Sequence, residues 1–348
     1  MTRMNALVLG ASGMVGGAIC RQLIVEGHAV TGVSRRPLKT ELPVRHVSID
    51  MLDPDDCRAK ASDLSEITHV FYAGRAPHGE GGMESVEDNL AMLVNAVEAI
   101  SAASPNLQHV NLVHGTKYYG NHIGTYKTPA EEDDPRPDIP NFYFDQQDWI
   151  SSLDVPWSWS AVRPPLVFGF SPGKARNLVS VLAAYAAIMR ELGRPFSFPG
   201  TEAAFDCLAE CVQSSHLAQA IVWMAGAPAA ANQAFNITNG DIFRWRHIWQ
   251  HFAAYFEMEA GPPLGISLAD TMAEHEPVWN NIVEKHGLTP TAYSDIALWP
   301  YADYVFAPTW DIVSDTTKAR QAGFHKVLKS EQMFTDLFNE YRSARLVP

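Results

Sequence analysis

The residues whose chemistry is easiest to interpret are three glycines near the start of the chain. Gly10, Gly13 and Gly16 follow a short apolar run at 6–9, and a helical pattern covers 14–26. A Gly-x-x-Gly-x-x-Gly turn between a strand and a helix lets the backbone approach a pyrophosphate, which then faces the N–H groups of the helix N-terminus. The motif therefore predicts a dinucleotide site. The other contacts that it predicts are Ser12, Met14 and Val15.

The end of the second predicted strand indicates which dinucleotide binds. The run 29–33 is followed by Ser34, Arg35 and Arg36. An enzyme that uses NADH normally has an acidic residue here, which accepts hydrogen bonds from the ribose hydroxyls. Guanidinium groups instead attract the 2′-phosphate of NADPH. The sequence therefore predicts NADPH as the cofactor, with the alternative that both arginines are only solvated parts of a loop.

Residues after the third and fourth predicted strands complete the expected nucleotide site. Asp50 can accept a hydrogen bond from the adenine amino group, and Met51 follows it. Ala73 and Gly74 come after the fourth strand, where the middle of a nucleotide lies in this kind of fold. The next residue is Arg75, for which two interpretations stay open: contact with a phosphate, or simple exposure to solvent.

Strands and helices alternate along the first half of the chain. Short apolar runs predict strands, and the stretch 86–100 has apolar residues on one side of a helix. This alternation implies right-handed crossovers and an α/β fold with a Rossmann-type, doubly wound parallel sheet. The predicted strands are 6–9, 29–33, 45–49, 69–72, 109–113 and 158–162.

In the second half of the chain, strands and helices no longer alternate regularly. It contains a predicted long helix at 177–192, an aromatic stretch at 196–205 that is expected to be a loop, and a strand at 234–238 that returns to the sheet. We therefore predict an NADP-binding core at 1–165. A smaller, mostly helical substrate lobe at 166–348 is interwoven with that core.

The composition excludes several classes of protein. With 348 residues and a net charge of −13, the chain lacks the basic balance of a general nucleic-acid binder. Its four cysteines are too few and too scattered for a disulfide framework. No usual fourth ligand accompanies Cys207, Cys211 and His216, so we expect no metal. The longest apolar run, 179–189, is too short to span a bilayer, and no secretory leader is visible, which favours the cytoplasm.

A pairing that many enzymes of this fold use is absent. No tyrosine has a lysine four residues after it, a spacing that places both on one helical face so that the ammonium lowers the phenol pKa. Tyr143, in Asn-Phe-Tyr-Phe-Asp at 141–145, has Gln147 at that position. Lys117 lies in His-Gly-Thr-Lys-Tyr-Tyr-Gly at 114–120. A reductase made from this chain needs a differently assembled site.

These two segments resemble those of the progesterone 5β-reductase/iridoid synthase family of atypical short-chain dehydrogenases. The likeness continues in Arg-Pro-Pro-Leu-Val-Phe-Gly at 163–169, Ala-Phe-Asn-Ile-Thr-Asn-Gly-Asp at 234–241 and Phe-Arg-Trp at 243–245. It thus covers nearly the whole chain, with the motifs in the expected order. The resemblance implies an NADPH-dependent enzyme that reduces the activated C=C bond of enones and enals, and a homodimer.

The resemblance also implies roles for particular residues, because Lys117 and Tyr143 match the family's catalytic pair. Hydride addition at the β-carbon of an enone produces an enolate, whose oxygen needs a hydrogen-bond donor already in place. Tyr143 is expected to be that donor, while Lys117 orients it and contacts the nicotinamide ribose. The residues expected to line the nicotinamide are Val113, Pro165 and Val167.

Other functions and the form of the substrate pocket stay open. A ketone reductase or sugar epimerase would normally need the missing tyrosine–lysine pair. A regulator could bind NADP(H) without catalysis, and an aldol or Michael-type enzyme could use the same enolate-stabilising residues. We expect a mostly apolar pocket for a small conjugated carbonyl compound, walled by aromatic residues and closed by a mobile loop within 264–310.

Overall fold

A computed structural model describes residues 3–38, 40–77, 79 and 84–348. The strands predicted in the first half are present, with ends that differ from the expected ones by at most two residues. The strands are β1 Asn5–Leu9, β2 Ala29–Val33, β3 Arg45–Val47, β4 His69–Tyr72, β5 His109–Val113, β6 Ser158–Arg163, β7 Leu166–Phe168, β8 Phe196–Ser197, β9 Leu208–Ala209, β10 Cys211–Gln213, β11 Gln233–Asn236, β12 Phe243–Arg244 and β13 Ala260–Gly261.

One large sheet runs through the first half of the molecule. In the described residues it has seven strands, in the order β11-β6-β5-β4-β1-β2-β3. Every pair in it is parallel, and Leu9 lies beside both Val33 and Tyr72, so the central strands end level with one another. Their carboxyl ends therefore meet at one edge, where ligands bind in doubly wound folds. The predicted Rossmann-type α/β fold is confirmed.

Helices follow most strands and dominate the second half of the chain. No helix among the described residues is long and apolar enough to cross a membrane. The helices are α1 Met14–Val25, α2 Pro54–Ala61, α3 Val86–Ala103, α4 Phe142–Ser152, α5 Leu178–Glu191, α6 Glu202–Asp206, α7 Ser214–Gly226, α8 Trp245–Tyr255, α9 Leu268–Met272, α10 Glu276–His286, α11 Tyr293–Ile296, α12 Trp299–Phe306, α13 Thr317–Gln321 and α14 Ser330–Ser343.

Both faces of the large sheet are covered, which explains why its strands are apolar without alternation. In β1, Leu7 and Leu9 pack with residues of α2, α3 and α4. Ala6 and Val8 point to the other face and pack with α1 and α7. The sheet is thus a rigid middle layer between two layers of helices, and it fixes the positions of the loops at its carboxyl edge.

The helices after β7 build a separate apolar core. The α5 helix is buried along nearly all of its length, and Trp249 and Trp279 are fully buried around it. Short strand pairs join this lobe together, with β7 against β10, β8 against β13 and β9 against β12. The division of the chain at residue 165 stays a prediction, because β11 pairs with β6 and so carries later residues back into the sheet.

One stretch differs from the prediction made for it, and another keeps its prediction open. The stretch 196–205 is not a continuous loop: it contains β8, and α6 begins in it because the Thr201 hydroxyl accepts from the Ala204 N–H. The stretch 264–310 contains α9 to α12, as expected for a mostly helical lobe, and the mobile loop expected within it stays a prediction. Its buried apolar residues, such as Leu268 and Trp299, pack into the core of the lobe, and that packing stabilises helices there.

One buried carboxyl group should make stability depend on pH. Glu210 lies between β9 and β10, is 2% exposed, and accepts a hydrogen bond from the Ser314 hydroxyl at 2.6 Å. Burial raises its pKa from 4.5 to about 7. The unfolded carboxyl therefore ionises at lower pH than the native one, and stability should fall as pH rises between these two values.

Glu210→Gln should remove this pH dependence, because the amide keeps the size of the side chain and never ionises. At about pH 8 the variant should be more stable than the wild type by roughly 3 kcal/mol, and the difference should shrink toward about pH 5. Urea unfolding at both pH values measures this. A constant difference across the range would contradict the burial argument.

Candidate active site

The glycine-rich turn leaves no room for side chains. Gly10 has φ +85°, and a Cβ on it would lie 2.6 Å from the Ala73 carbonyl oxygen. A Cβ on Gly16 would lie 2.2 Å from the carbonyl oxygen of Gly10. The turn is fixed against β2, because the N–H groups of Gly10 and Ala11 both donate to the Val33 carbonyl. The backbone therefore forms a cradle at the carboxyl edge of the sheet.

The beginning of α1 can receive negative charge. Its N-cap, Gly13, provides no side chain to accept from the first-turn N–H groups, and Ser12 beside it is exposed. Met14 and Val15, the first helical residues, are partly buried. An uncapped helix N-terminus next to a glycine cradle is what a pyrophosphate requires.

The residues predicted to recognise the adenosine end lie at the ends of β2 and β3. The Ser34 hydroxyl donates to the Arg36 carbonyl at 2.6 Å and lies 3.2 Å from the ring Nε2 of His46, so it is held in place. Arg35 and Arg36 are exposed. Asp50, also exposed, accepts from the Leu52 N–H through one carboxylate oxygen at 3.1 Å.

The middle of the predicted nucleotide site is compact. Met51 is buried, its carbonyl accepts from the Asn95 side chain at 3.0 Å, and its methyl carbon would lie 2.9 Å from a Cβ on Gly74. Gly74 follows Ala73, whose carbonyl lies against Gly10. The structure therefore brings together the glycine turn, Met51 and the end of β4, as a nucleotide lying along the edge would need.

A single asparagine joins the two segments on which the chemistry depends. Asn141 is the N-cap of α4, and its side-chain oxygen accepts from the Tyr143 N–H at 3.0 Å. Its amide nitrogen donates to the Lys117 carbonyl at 2.9 Å. The turn after β5 and the first turn of α4 are thus held side by side, although 24 residues separate Asn141 from Lys117.

Tyr143 is buried at the carboxyl end of β5. Its hydroxyl lies 3.3 Å from where a Cβ of Gly115 would be, and its ring is 4.8 Å from that of His114, between centroids. Burial raises the pKa of the Tyr143 hydroxyl, and the nearby Arg75 partly opposes this rise. The hydroxyl accepts a hydrogen bond from the guanidinium of Arg75. The segment after β5 thus approaches the Tyr143 hydroxyl through Gly115. The hydroxyl of the next residue, Thr116, accepts a hydrogen bond from the Asn121 side-chain amide.

Lys117 reaches Tyr143 through two intermediate side chains. The Lys117 ammonium lies 2.8 Å from one oxygen of Glu84, and Arg75 lies 2.7 Å from the other. Arg75 in turn contacts the Tyr143 hydroxyl. These four residues, Tyr143, Arg75, Glu84 and Lys117, form one connected polar chain, which we call the tyrosine–lysine chain.

The residues predicted to line the nicotinamide lie beside this chain. The Pro164 carbonyl accepts from the Thr116 N–H at 3.0 Å and is 3.5 Å from a Cβ on Gly115. Pro165 is buried directly after it, while Val113 and Val167 are partly buried. The β6–β7 turn therefore adjoins the turn after β5. That Val113, Pro165 and Val167 contact the nicotinamide stays a prediction.

The comparison with known families identifies the chain. Residues 6–348 match the model of the PRISE-like Rossmann-fold domain. The chain belongs to the PRISE family. The family expected from the sequence is thereby confirmed, and the curated relatives described next confirm the expected enzyme class, an oxidoreductase.

Curated PRISE relatives match along nearly the full length. One is an (S)-8-oxocitronellyl enol synthase from Antirrhinum majus, 35% identical over 364 residues, covering 99% of this chain and 92% of the relative. Another is a 3-oxo-Delta(4,5)-steroid 5-beta-reductase from Arabidopsis thaliana, 33% identical over 368 residues, covering 99% and 93%.

Solved structures share the fold of this PRISE chain at low sequence identity. The Bordetella bronchiseptica enzyme WbmH, solved with NAD+, is 14% identical with a TM-score of 0.65, covering 97% of this chain and 98% of that one. The UDP-N-acetylglucosamine 4-epimerase from Bacillus cereus is 12% identical with a TM-score of 0.68, covering 99% of both. At such identities the likeness establishes the fold alone.

Sequence reasoning missed one member of this PRISE site, Glu84, and left the partner of another, Arg75, open. It left Arg75 open between phosphate contact and solvent exposure, and the structure leaves the Arg75 side chain partly exposed while placing its guanidinium on Tyr143 and Glu84. Glu84 was not considered at all. Among the aromatic residues considered for the pocket wall, Trp279 and Phe306 are core residues, and 42%-exposed Tyr304 lies with its ring centroid 5.7 Å from the Lys117 ammonium.

Proposed function

We propose that this chain transfers hydride from NADPH to the β-carbon of enones and enals, with Tyr143 stabilising the enolate. The observation that carries the proposal is the hydrogen bond at the Tyr143 hydroxyl. A guanidinium can only donate, so the Tyr143 oxygen must accept from Arg75. Its own proton is therefore left for another acceptor, and the oxygen of a conjugated carbonyl compound is an acceptor of the required kind.

Tyr143 suits this task in protonation state as well as in position. Because burial raises its pKa, the hydroxyl keeps its proton at neutral pH and can donate to a developing negative charge. The neighbouring His114 ring is buried, and burial lowers its pKa well below the ordinary value, so it is neutral and does not compete as a cation. Lys117, partly exposed, supplies positive charge near the expected nicotinamide ribose.

The residues present fit a dinucleotide. A Cβ on Gly10 or Gly16 would clash with the backbone of the cradle, and the uncapped N-terminus of α1 lies directly beyond it. When bound, NADPH supplies the hydride. The chain's own residues hold the pyrophosphate at α1, the 2′-phosphate at Arg35 and Arg36, and the adenine near Asp50.

The cofactor preference gives a direct test. Replacing Arg35 and Arg36 together with glutamine should raise the KM for NADPH roughly ten-fold or more and leave the KM for NADH nearly unchanged, because only NADPH has the 2′-phosphate. The matched control is Arg45→Gln, which removes an exposed arginine on the neighbouring β3 that pairs with Glu66. Equal losses for both cofactors would contradict the assignment of these arginines.

The reaction itself is tested by following NADPH absorbance with 2-cyclohexenone and with cyclohexanone. Consumption with the enone alone, with cyclohexanone as product, supports the proposal. Consumption with the saturated ketone would show a ketone reductase instead. NADPH binding without consumption by either compound would indicate a binding protein or a non-redox enzyme, and would refute the reductase.

The partners follow from the same proposal. The substrate is a small conjugated carbonyl compound, as the names of the two curated relatives suggest. The net charge of −13 disfavours nucleic acid. The homodimer and the cytoplasmic location stay predictions, and light scattering of the purified chain tests the first.

A further inference from the structure

The position that normally supplies the cation for a catalytic tyrosine is used for another purpose in this chain. Gln147, four residues after Tyr143, accepts a hydrogen bond from the Arg163 guanidinium at 2.9 Å. Arg163 is itself 1% exposed and also donates to the Tyr119 hydroxyl at 3.0 Å. Gln147 is therefore part of a buried structural network, and the charge near Tyr143 has to come from elsewhere.

Arg75 is where that charge is found. It lies three residues after the end of β4, at the same edge of the sheet as Tyr143, and donates to its hydroxyl. We propose that Arg75 is the positioning residue of this site, a permanent cation that fixes the Tyr143 hydroxyl with its proton toward the substrate oxygen. This inference rests on the proposed enone reduction and adds to it a residue that the sequence did not assign.

Arg75 is held in one orientation by several contacts. Glu84 accepts from its other terminal nitrogen at 2.7 Å. The centre of its guanidinium lies 5.3 Å from the Phe142 ring centroid and 5.6 Å from that of Tyr143. A planar guanidinium restrained by a carboxylate and two aromatic rings directs its N–H groups more precisely than a flexible ammonium can.

The same arrangement separates two tasks that one lysine performs in a Tyr-x-x-x-Lys pair. Arg75 holds the phenol, and Lys117, on the far oxygen of Glu84, is available for a cofactor ribose. Glu84 couples the two cations, because its two oxygens each bind one of them. The titratable and charged groups around the Tyr143 phenol and its immediate partners include Arg75, Glu84, Lys117, the neutral His114 and Tyr304, together with Tyr72 beside Arg75 and His122 near Lys117.

Kinetics of Arg75→Gln and Arg75→Lys test the inference. With 2-cyclohexenone and saturating NADPH, Arg75→Gln should lower kcat roughly ten-fold or more, since it removes a charge-assisted hydrogen bond. The KM for NADPH should stay nearly constant. Arg75→Lys should recover much of the lost kcat, because it keeps the charge. The matched control is Arg136→Gln, which removes a guanidinium that donates to another buried tyrosine hydroxyl, that of Tyr118, at 2.9 Å.

A second measurement does not depend on turnover. Fluorine NMR of protein labelled with fluorotyrosine reports the ionisation of Tyr143, with its signal identified by its absence in Tyr143→Phe. Arg75→Gln should move the midpoint of that titration to higher pH, because a cation close to a phenol favours its ionised form. Arg75→Lys should raise it less.

The outcomes separate this inference from the proposed function. A wild-type chain that reduces no enone, combined with a shifted titration, would refute the function and keep the role of Arg75 toward Tyr143. Normal enone reduction in Arg75→Gln, with an unmoved titration midpoint, would overturn the inference alone. A loss of kcat in Arg136→Gln equal to that in Arg75→Gln would also overturn it, since the effect would then be a general loss of structure.

Discussion

Tyr143→Phe is expected to lower kcat for enone reduction roughly 100-fold or more, equivalent to about 3 kcal/mol of transition-state stabilisation. Phenylalanine keeps the ring, which packs on Phe142 and His114, and removes only the hydroxyl. The developing enolate oxygen then loses its donor, and Arg75 loses its acceptor. NADPH affinity should be unchanged within about two-fold, because the expected cofactor contacts of the glycine turn remain.

The control for this variant is Tyr72→Phe. Tyr72 is 1% exposed, and its hydroxyl has no hydrogen-bond partner among the described residues. Removing that hydroxyl should leave kcat near the wild-type value and should not destabilise the fold. Steady-state kinetics and fluorescence titration with NADPH measure both variants. Near-wild-type turnover by Tyr143→Phe would exclude the phenol from the chemistry.

Gly16→Ala is expected to damage folding and cofactor binding together. The added Cβ would lie 2.2 Å from the Gly10 carbonyl oxygen and 3.0 Å from the Ala11 Cα, both of which are backbone atoms and cannot turn away. The first turn of α1 must move away from the glycine turn. We expect a loss of about 3 kcal/mol in the free energy of unfolding, as for an overpacked core position. NADPH binding should weaken at least roughly ten-fold, because the cradle changes shape.

The adjacent glycine provides the matched control. A Cβ on Gly17 would lie 3.7 Å from the Ala11 carbonyl oxygen, an ordinary van der Waals distance. Gly17→Ala should therefore be tolerated and should even stabilise α1, by up to about 1 kcal/mol, because alanine favours helix more than glycine does. Urea unfolding and NADPH titration compare the pair. Equal stability of the two variants would contradict the close-packing argument.

The large sheet was predictable because its signals are local. Short apolar runs followed by glycine or by a helical pattern mark β1, β2, β4 and β5, and burial on both faces explains their lack of alternation. The stretch 196–205 was predicted wrongly because β8 pairs with β13, more than 60 residues later, and no local pattern encodes that partner. Short strands stabilised by distant contacts lie beyond single-sequence reasoning.

The candidate site likewise has a part that the sequence could predict and a part that it could not. The family resemblance singled out Tyr143 and Lys117, and Asn141 links their two segments, but the Lys117 ammonium contacts Glu84 while the Tyr143 hydroxyl contacts Arg75. Arg75 was noticed, but its role could not be chosen, because a lone arginine after a strand suits contact with a phosphate and exposure to solvent equally. Glu84 could not be found, since it lies in a connection with no periodic pattern, and its importance comes from the two cations that it contacts.

The position of β11 has a consequence for the order in which this protein can fold during synthesis. Its strand at Gln233–Asn236 pairs with β6, which ends at Arg163, so the ribosome must add 69 intervening residues before the open edge of β6 is paired. Until then the nascent chain presents an open strand edge of the kind that promotes misassociation between chains. If translation ended before β11 was made, the released fragment would keep this open strand edge and would be prone to aggregation.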